Sequence, residues 1–203
     1  MAGLAGWGAS LVAPHPLAAA VAFGTAIVLT GAIHVDGFLD SCDGILATVA
    51  PERRLEILKD PRHGTYAVAG FAVVAILWIA ALASIAPAQL PWAMAFAGGG
   101  ARFAAVLNAY WYPYGPGGSA AAAFEARPSR PILAGTLLVA VACAWLAPYW
   151  IPLIALAMLG SLGIGGFAAR RLGGSLTGDV YGAAVVVLDV LLLAGIAVLG
   201  PAR

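Results

Sequence analysis

The sequence predicts an all-α fold, a polytopic integral membrane bundle of about six transmembrane helices that forms one domain over residues 1–203. Three observations carry this prediction. Hydrophobic residues make up 63% of the chain and charged residues only 9%, whereas a soluble domain carries roughly 25% charge. The mean hydropathy is +0.97, and long apolar runs alternate with short segments rich in Pro and Gly. The formal net charge of +1 gives no reason to expect a nucleic-acid partner.

Each spanning helix needs about 20 apolar residues, and six runs approach that length. They cover residues 17–33, 66–86, 91–112, 131–147, 150–168 and 179–199. Prolines and glycines fill the gaps between the runs, where they end helices. The first run extends past signal-peptide length and has no basic segment before it, so we expect no cleavable signal peptide.

The basic residues predict the orientation of the bundle. Eight of the ten Lys and Arg residues fall in the loops after the first, third and fifth runs, which lie on the same side of a six-helix bundle. They are Arg53, Arg54, Lys59, Arg62, Arg127, Arg130, Arg170 and Arg171. The positive-inside rule therefore places these loops in the cytoplasm and the N-terminus outside.

The segment 34–64 is too polar to cross a bilayer and is predicted to form short interfacial helices. Its first half forms a helix that leaves the bilayer or lies at its surface, although Gly37 argues against an unbroken helix there. Pro51 then starts a second short helix over residues 52–59, and Pro61 ends it. We predict that this cytoplasmic segment holds the catalytic residues.

An acidic motif opens this segment. Asp36, Asp40 and Asp43 account for three of the nine carboxylates in the chain, and their i, i+4, i+7 spacing aligns them on one side of a helix. Aligned carboxylates next to hydrocarbon require a neutralising cation, and Mg²⁺ with a bound phosphate fits best. His34 is a further candidate ligand, base or phosphate partner. The alternatives are a solvated helix start for the acids and a packed or surface histidine.

A basic motif follows at residues 60–65. Arg62, His63, Gly64 and Thr65 precede the second spanning helix, where backbone N–H groups and an arginine suit a phosphate. For Arg53 and Arg54 the alternative is a membrane role, because juxtamembrane arginines orient helices and attract anionic lipids.

The remaining polar residues of interest lie near the last helix. Thr177 or Asp179 could cap that helix, or Asp179 could face the acidic motif across the bundle. Asp189 lies inside an apolar run, which makes it a functional candidate, and Arg102 is its candidate partner. The residues 110–118 form an aromatic belt that fits an interface anchor. Cys42 and Cys143 are expected to be buried thiols.

The segments named so far resemble the cobalamin (5′-phosphate) synthase family, also called adenosylcobinamide-GDP ribazoletransferase. The pattern His-x-Asp-Gly-x-x-Asp-x-x-Asp-Gly occurs at 34–44, and the similarity continues through 54–66, 172–174 and 177–179. The resemblance implies a multi-pass enzyme of the bacterial inner membrane with a cytoplasmic active site. Such an enzyme joins adenosylcobinamide-GDP to α-ribazole or its 5′-phosphate, releases GMP and requires Mg²⁺. Its partners would be these substrates and the lipid bilayer, and a homo-oligomer remains open.

A displacement at phosphorus then assigns roles to the motifs. Asp36, Asp40 and Asp43 would hold one or two Mg²⁺ ions, with Asp60 and Asp179 as further candidate ligands. One of the three carboxylates of the acidic motif, or His34, would take the proton from the attacking hydroxyl, with Asp43 and His34 as equal candidates. The phosphate-binding candidates are Arg54, Lys59, Arg62, His63, Thr65 and Thr177.

Two other functions are compatible with acids on membrane helices. A CDP-alcohol phosphotransferase also uses several aspartates, but its pattern needs Asp-Gly-x-x-Ala-Arg, and Asp36-Gly37 is followed here by Phe-Leu-Asp-Ser. A small cation transporter would place acids at mid-bilayer depth on several helices, whereas most of these acids cluster at one edge.

Overall fold

A computed structural model of the chain describes residues 1–115, 134 and 151–200, and its regular elements in these ranges are helices. We number the α-helices in chain order. They are α1 (Ala2–Ser10), α2 (His15–Leu29), α3 (Ile33–Leu46), α4 (Pro51–Ile57), α5 (Thr65–Ala83), α6 (Leu90–Trp111), α7 (Ile151–Arg171) and α8 (Gly178–Leu199), with a 3₁₀ turn at Pro87–Gln89 before α6.

The helix lengths confirm a polytopic helical membrane protein. Within the described ranges, α5, α6 with its 3₁₀ turn, α7 and α8 are each long and apolar enough to cross a membrane. The predicted run at 131–147 lies outside the described residues. The first predicted run corresponds to α2, whose 15 residues span roughly 22 Å, less than a hydrocarbon core of about 30 Å. By length, α2 passes as a span only together with α3.

A sharp bend separates α2 from α3. The two helices meet at 90°, and both Gly31 and Ala32 adopt the left-handed region with φ of 59°. Glycine takes that conformation freely, whereas alanine accepts it at a cost. The bend turns α3 away from the direction of α2, and the acidic motif therefore lies on a helix that is not itself one of the four candidate spans.

Helix α3 runs unbroken from Ile33 to Leu46, so Gly37 does not interrupt it. The reason for glycine at this position is close packing. A Cβ on Gly37 would lie 2.9 Å from the carbonyl oxygen of Asp179, and a Cβ on Gly182 would lie 3.2 Å from the carbonyl oxygen of His34. The two glycines let the backbones of α3 and α8 come into contact.

Helix α8 is the centre of the bundle. Its most apolar window is 61% buried inside the protein, against 28% for α5 and for α7. It packs against α3, α5, α6 and α7, so residues at its start are fixed relative to all of them. The core around it is built mainly from Ala, Val and Leu side chains.

Two short helices complete the description. Helix α4 begins at Pro51, as predicted, and ends at Ile57. The sequence did not indicate α1. This helix packs through Gly3 against the start of α6 and through Gly6 against the middle of α2. Cys42 is buried and free, as expected, while Cys143 lies outside the described residues.

Candidate active site

The contact between α3 and α8 brings together carboxylates that are far apart in sequence. Gly37 of α3 packs against the backbone of Asp179 at the start of α8. Asp36 and Asp40 lie on either side of Gly37 in the sequence of α3. The pKa of Asp40 rises to about 6, first because the carboxyl is partly buried and then because Asp36, Asp179 and Asp43 add negative charge around it. We call Asp36, Asp40 and Asp179 the carboxylate cluster. It holds more negative charge than its surroundings compensate.

The basic motif reaches this cluster through one side chain. The Nδ1 atom of His63 lies 3.6 Å from Oδ1 of Asp40, and a charged His63 would lower the pKa of Asp40. His63 precedes α5, so the contact joins the start of α5 to the middle of α3. The structure thus brings the acidic and basic motifs together.

Asp43 has a different environment from Asp40. Its carboxylate accepts hydrogen bonds from the backbone N–H of Gly64 and, at 3.0 Å, from that of Ala67. These are the N-cap and third residues of α5, and Gly64 has no side chain with which to cap its own helix. Asp43 therefore caps α5 from a neighbouring helix.

Arg54 is also engaged within the fold. Its side chain is buried and donates hydrogen bonds to the carbonyl oxygens of Ile45 at 2.6 Å and Gly44 at 3.3 Å. These carbonyls end α3, where a cation is favourable. Burial, followed by repulsion from Arg171, lowers the pKa of Arg54. The structure places this predicted phosphate ligand at the C-terminal end of α3. Because Arg171 is close to it, the end of α7 lies at the same end of the bundle.

The other residues of the basic segment lie at the surface. Arg62 forms a bidentate pair with Asp60, with N–O distances of 2.9 and 2.8 Å, and this pairing lowers the pKa of Asp60 to about 2. Asp60 is not among the groups that shift the pKa of Asp40. Lys59 and Thr65 are exposed, so they remain accessible to a ligand without touching the carboxylate cluster.

The start of α8 has a local hydrogen bond of its own. Thr177 occupies the N-cap position, but its hydroxyl donates to Oδ2 of Asp179 at 3.2 Å rather than serving the backbone. This bond helps to fix the carboxylate of Asp179 beside α3.

His34 lies apart from the cluster. Burial and the nearby guanidinium of Arg102 lower the pKa of His34, and the residue lines a cavity together with Arg102 and Asp189. The partnership expected between these last two residues is present, with Arg102 Nη1 lying 3.6 Å from Asp189 Oδ2.

The donor chemistry of the cluster fits Mg²⁺. Among the described residues, no three His, Cys, Asp or Glu side chains are arranged closely enough to surround a metal ion. Mg²⁺, however, prefers carboxylate oxygens, usually takes only one or two of them and completes its shell with water and substrate phosphate. The uncompensated charge around Asp40 is the observation that favours a cation here.

One contact near the site was not predicted from the sequence. The end of the aromatic belt docks on the loop before α8, with Tyr114 bridged to Leu176 and stacked on Tyr181 at 6.3 Å between ring centres. Tyr110 and Trp111 are exposed, which fits the anchor role predicted for the belt. The docking was hidden because the pairing partners are about 60 residues apart and carry no charge pattern.

The comparisons with known proteins agree with the resemblance noted in the sequence. A family model described as cobalamin-5-phosphate synthase matches residues 1–197. The chain is similar to an adenosylcobinamide-GDP ribazoletransferase of Deinococcus radiodurans, with 37% identity over 89% of this chain and 64% of the relative. A protein of the same name from Desulfitobacterium hafniense is 33% identical over 92% of this chain and 77% of the relative.

The match therefore spans less than two thirds of the Deinococcus relative's length. No solved structure matches the chain. The family match covers nearly the whole chain and includes the acidic motif, the basic motif and residues 177–179. The chain belongs to the cobalamin-5-phosphate synthase family.

Proposed function

We propose that this protein is an adenosylcobinamide-GDP ribazoletransferase of the late cobalamin pathway. It would join adenosylcobinamide-GDP to α-ribazole or α-ribazole 5′-phosphate and release GMP. The observation that carries the proposal is the carboxylate cluster with His63 beside it, in a chain that belongs to this family. A metal ion would supply the positive charge that this cluster lacks. The diphosphate of the substrate would then bind to that ion.

One or two carboxylates of the cluster formed by Asp36, Asp40 and Asp179 would hold Mg²⁺, with water and substrate phosphate as its other ligands. When bound, Mg²⁺ would neutralise the diphosphate and stabilise negative charge on the leaving group. Asp43, predicted as a ligand or base from the sequence, caps α5, so we give it the task of fixing α3 against α5. Asp60 would act through Arg62, which it holds in one orientation.

The transfer itself is a displacement at phosphorus. A ribose hydroxyl of α-ribazole, or of α-ribazole 5′-phosphate, attacks the phosphorus that is bonded to cobinamide. The new P–O bond forms as the bond to the GMP phosphate breaks, and GMP leaves. A carboxylate of the cluster that does not hold the metal ion would accept the proton of the attacking hydroxyl.

Exposed basic groups around the cluster would bind the phosphates. His63 lies directly beside Asp40, and Arg62, Lys59 and Thr65 occupy the exposed segment next to it. The active site would face the cytoplasm from the bacterial inner membrane. Arg54 and Arg171 lie at this same end of the bundle, and basic loops face the cytoplasm.

The test is a reaction with purified protein in lipid nanodiscs with Mg²⁺. One arm supplies adenosylcobinamide-GDP with α-ribazole or its phosphate, and the other supplies a CDP-alcohol with an alcohol acceptor. We expect GMP release with the corrinoid pair, dependent on both substrates and lost with EDTA. CMP release in the second arm, or no GMP in the first, would reject the proposal.

A further inference from the structure

The start of α8 is held from two sides. On one side, Gly37 of α3 packs against the backbone of Asp179, and this contact builds the carboxylate cluster. On the other side lies the segment that follows α6. A Cβ built at Gly178, the first residue of α8, would lie 3.4 Å from the hydroxyl oxygen of Tyr114, which is ordinary van der Waals contact. The position of Asp179 therefore depends on this segment as well as on α3.

Two backbone hydrogen bonds join the segment after α6 to the loop before α8. The N–H of Leu176 donates to the carbonyl oxygen of Pro113 at 3.0 Å, and the N–H of Gly115 donates to the carbonyl oxygen of Leu176 at 2.8 Å. We call this pairing of residues 113–115 with Leu176 the loop bridge. Because the Leu176 side chain is fully buried, the loop bridge is anchored in the core.

The side chain of Tyr114 adds a second contact at the same place. Its ring stacks on the ring of Tyr181, with ring centres 6.3 Å apart and an angle of 23° between the planes. This distance lies within the range in which aromatic pairs attract each other. Tyr181 is buried and stands in the first turn of α8, two residues after Asp179. The stack therefore holds the helical turn that carries this carboxylate.

The loop between α7 and α8 needs such contacts because it begins with two glycines. Gly173 and Gly174 adopt positive φ angles of 77° and 101°, and a Cβ at either position would meet no atom of the described residues within 4 Å. Glycine loses more conformational freedom on folding than any other residue. The contacts further along the loop must therefore select one conformation, and the loop bridge and the Tyr114 stack are the contacts that lie closest to Asp179 in sequence.

We infer that Tyr114 is a positioning residue that holds Asp179 in the carboxylate cluster. The inference rests on the proposed function, in which carboxylates of this cluster hold Mg²⁺. Tyr114 acts through the backbone of α8 and has no contact of its own with the metal ion in this role. Because Mg²⁺ demands near-ideal octahedral geometry, a small displacement of the start of α8 should weaken metal binding.

The first test removes the ring and measures metal binding without any substrate. Mn²⁺, which also prefers carboxylate oxygens, is titrated into the full chain in nanodiscs, and the free ion is measured by electron paramagnetic resonance. We expect the Kd for Mn²⁺ to rise about tenfold or more in Tyr114→Leu and to stay within about twofold in Tyr114→Phe, which keeps the stacked ring. An unchanged Kd in Tyr114→Leu, or equal weakening in both variants, would overturn the inference.

Two control variants separate positioning from a general loss of packing. Tyr110→Leu removes another tyrosine of the aromatic belt, which is 40% exposed and has its ring contact with Trp111. Val74→Ala opens a small cavity in the core beside α5 and should lower the free energy of unfolding. Both variants should bind Mn²⁺ with unchanged affinity. If Val74→Ala weakens Mn²⁺ binding as much as Tyr114→Leu does, lost stability explains the effect and the inference fails.

The second test replaces the ring contact by a covalent bond. A Cβ built at Gly115 would lie 3.6 Å from the Cβ of Ser175, which is within the roughly 3.5–4.5 Å found in disulfides. Gly115→Cys and Ser175→Cys, added to Tyr114→Leu, should restore Mn²⁺ affinity when oxidised and lose it again on reduction. A cross-link that does not form, or that forms without restoring affinity, would show that holding these two segments together is not what positions Asp179.

GMP release distinguishes this inference from the proposed function. In Tyr114→Leu, the Mg²⁺ concentration for half-maximal GMP release should rise about tenfold, while KM for α-ribazole at saturating Mg²⁺ stays within about twofold. Weakened Mn²⁺ binding in Tyr114→Leu with no GMP release from any variant would keep the positioning role and reject the transferase. GMP release with the same Mg²⁺ dependence in all variants would keep the transferase and reject the positioning role.

Discussion

The carboxylate cluster at the polar end of the bundle and the Arg102–Asp189 pair in its middle differ in how their negative charge is neutralised. In the cluster, Asp36, Asp40 and Asp179 repel one another, and the ion-pair partner of Asp40 among the described residues is His63, which lies 3.6 Å away and is charged only when protonated. In the middle, the single carboxylate of Asp189 faces an arginine at the same distance. The first arrangement costs folding free energy and the second recovers part of the cost of burial.

This difference separates a site prepared for a ligand from a contact that maintains the fold. Uncompensated charge persists only where something outside the chain neutralises it during function. The same substitution, Asp to Asn, should therefore have opposite consequences in the two regions. In the cluster, the substitution should remove activity without loss of stability. In the pair, it should lower stability and cause a smaller loss of activity.

The largest effect is expected for Asp40→Asn. Loss of a metal-binding carboxylate should lower the rate of GMP release at least about a hundredfold. Stability without Mg²⁺ should stay constant or rise. The carboxyl of Asp40, whose pKa is raised to about 6, favours folding when the pH is below the ordinary pKa of an aspartate. This contribution is lost as the pH rises through 6. Turnover and thermal unfolding in nanodiscs measure the two quantities.

Glu52→Gln is the control for Asp40→Asn, since Glu52 is an exposed residue in the first turn of α4. It should change neither quantity. Turnover by Asp40→Asn within about threefold of the unsubstituted protein would remove the cluster from the active site.

The second effect tests the pair. Asp189→Asn should lower the free energy of unfolding by about 2 kcal/mol, because it leaves Arg102 without its counter-charge; this is less than for a fully buried pair, since the Arg102 side chain is 43% exposed. The double variant Arg102→Gln/Asp189→Asn should recover at least half of the loss. Denaturant unfolding of all variants completes the cycle, and additive losses would show that the two residues are not coupled.

Much of this architecture was predictable because membrane spans and charge positions are recorded locally in the sequence. The runs that became α5, α6, α7 and α8 need only length and hydropathy. The acidic spacing on α3 needs only helical periodicity, and the partnership of Arg102 with Asp189 follows from the scarcity of charge in apolar runs. The basic residues Arg54 and Arg171 lie at one end of the bundle, as their loops predicted.

Other details depend on contacts between distant segments, which the sequence does not record locally. Gly37 lowers helix propensity locally, which weakens the expectation of a continuous helix, but α3 is continuous and the glycine allows close packing against α8. Asp43 and Arg54 have the residue types of a metal ligand and a phosphate ligand, yet each is engaged at a helix end. Periodicity cannot reveal which of two aspartates one turn apart lies against another helix.

The substitution Gly37→Ala should break the contact between α3 and α8 that builds the cluster. A methyl group at Gly37 would lie 2.9 Å from the Asp179 carbonyl oxygen, so Gly37→Ala should force α3 away from α8 and cost about 1.5 kcal/mol of stability. GMP release should fall further than stability alone explains, because Asp179 moves relative to Asp40. Unfolding and turnover are again the measurements.

Gly24→Ala provides the comparison for Gly37→Ala. A Cβ at Gly24 of α2 meets no atom within 4 Å, so alanine there should be neutral or stabilising, since it favours the helix. If both variants behave alike, close approach of α3 and α8 is not what requires glycine at position 37.

The smallest effect distinguishes Asp43 from Asp40 within the same motif. Asp43→Ala removes the acceptor of two backbone N–H groups at the start of α5 and should cost about 1 kcal/mol, while Asp43→Asn keeps one acceptor oxygen and should cost less. Activity of both variants should follow their folded fraction, measured by turnover beside unfolding. A fully folded Asp43→Asn whose turnover falls as far as that of Asp40→Asn would give Asp43 the chemical role that the sequence predicted, because capping requires only an oxygen and proton transfer or metal binding requires the carboxylate.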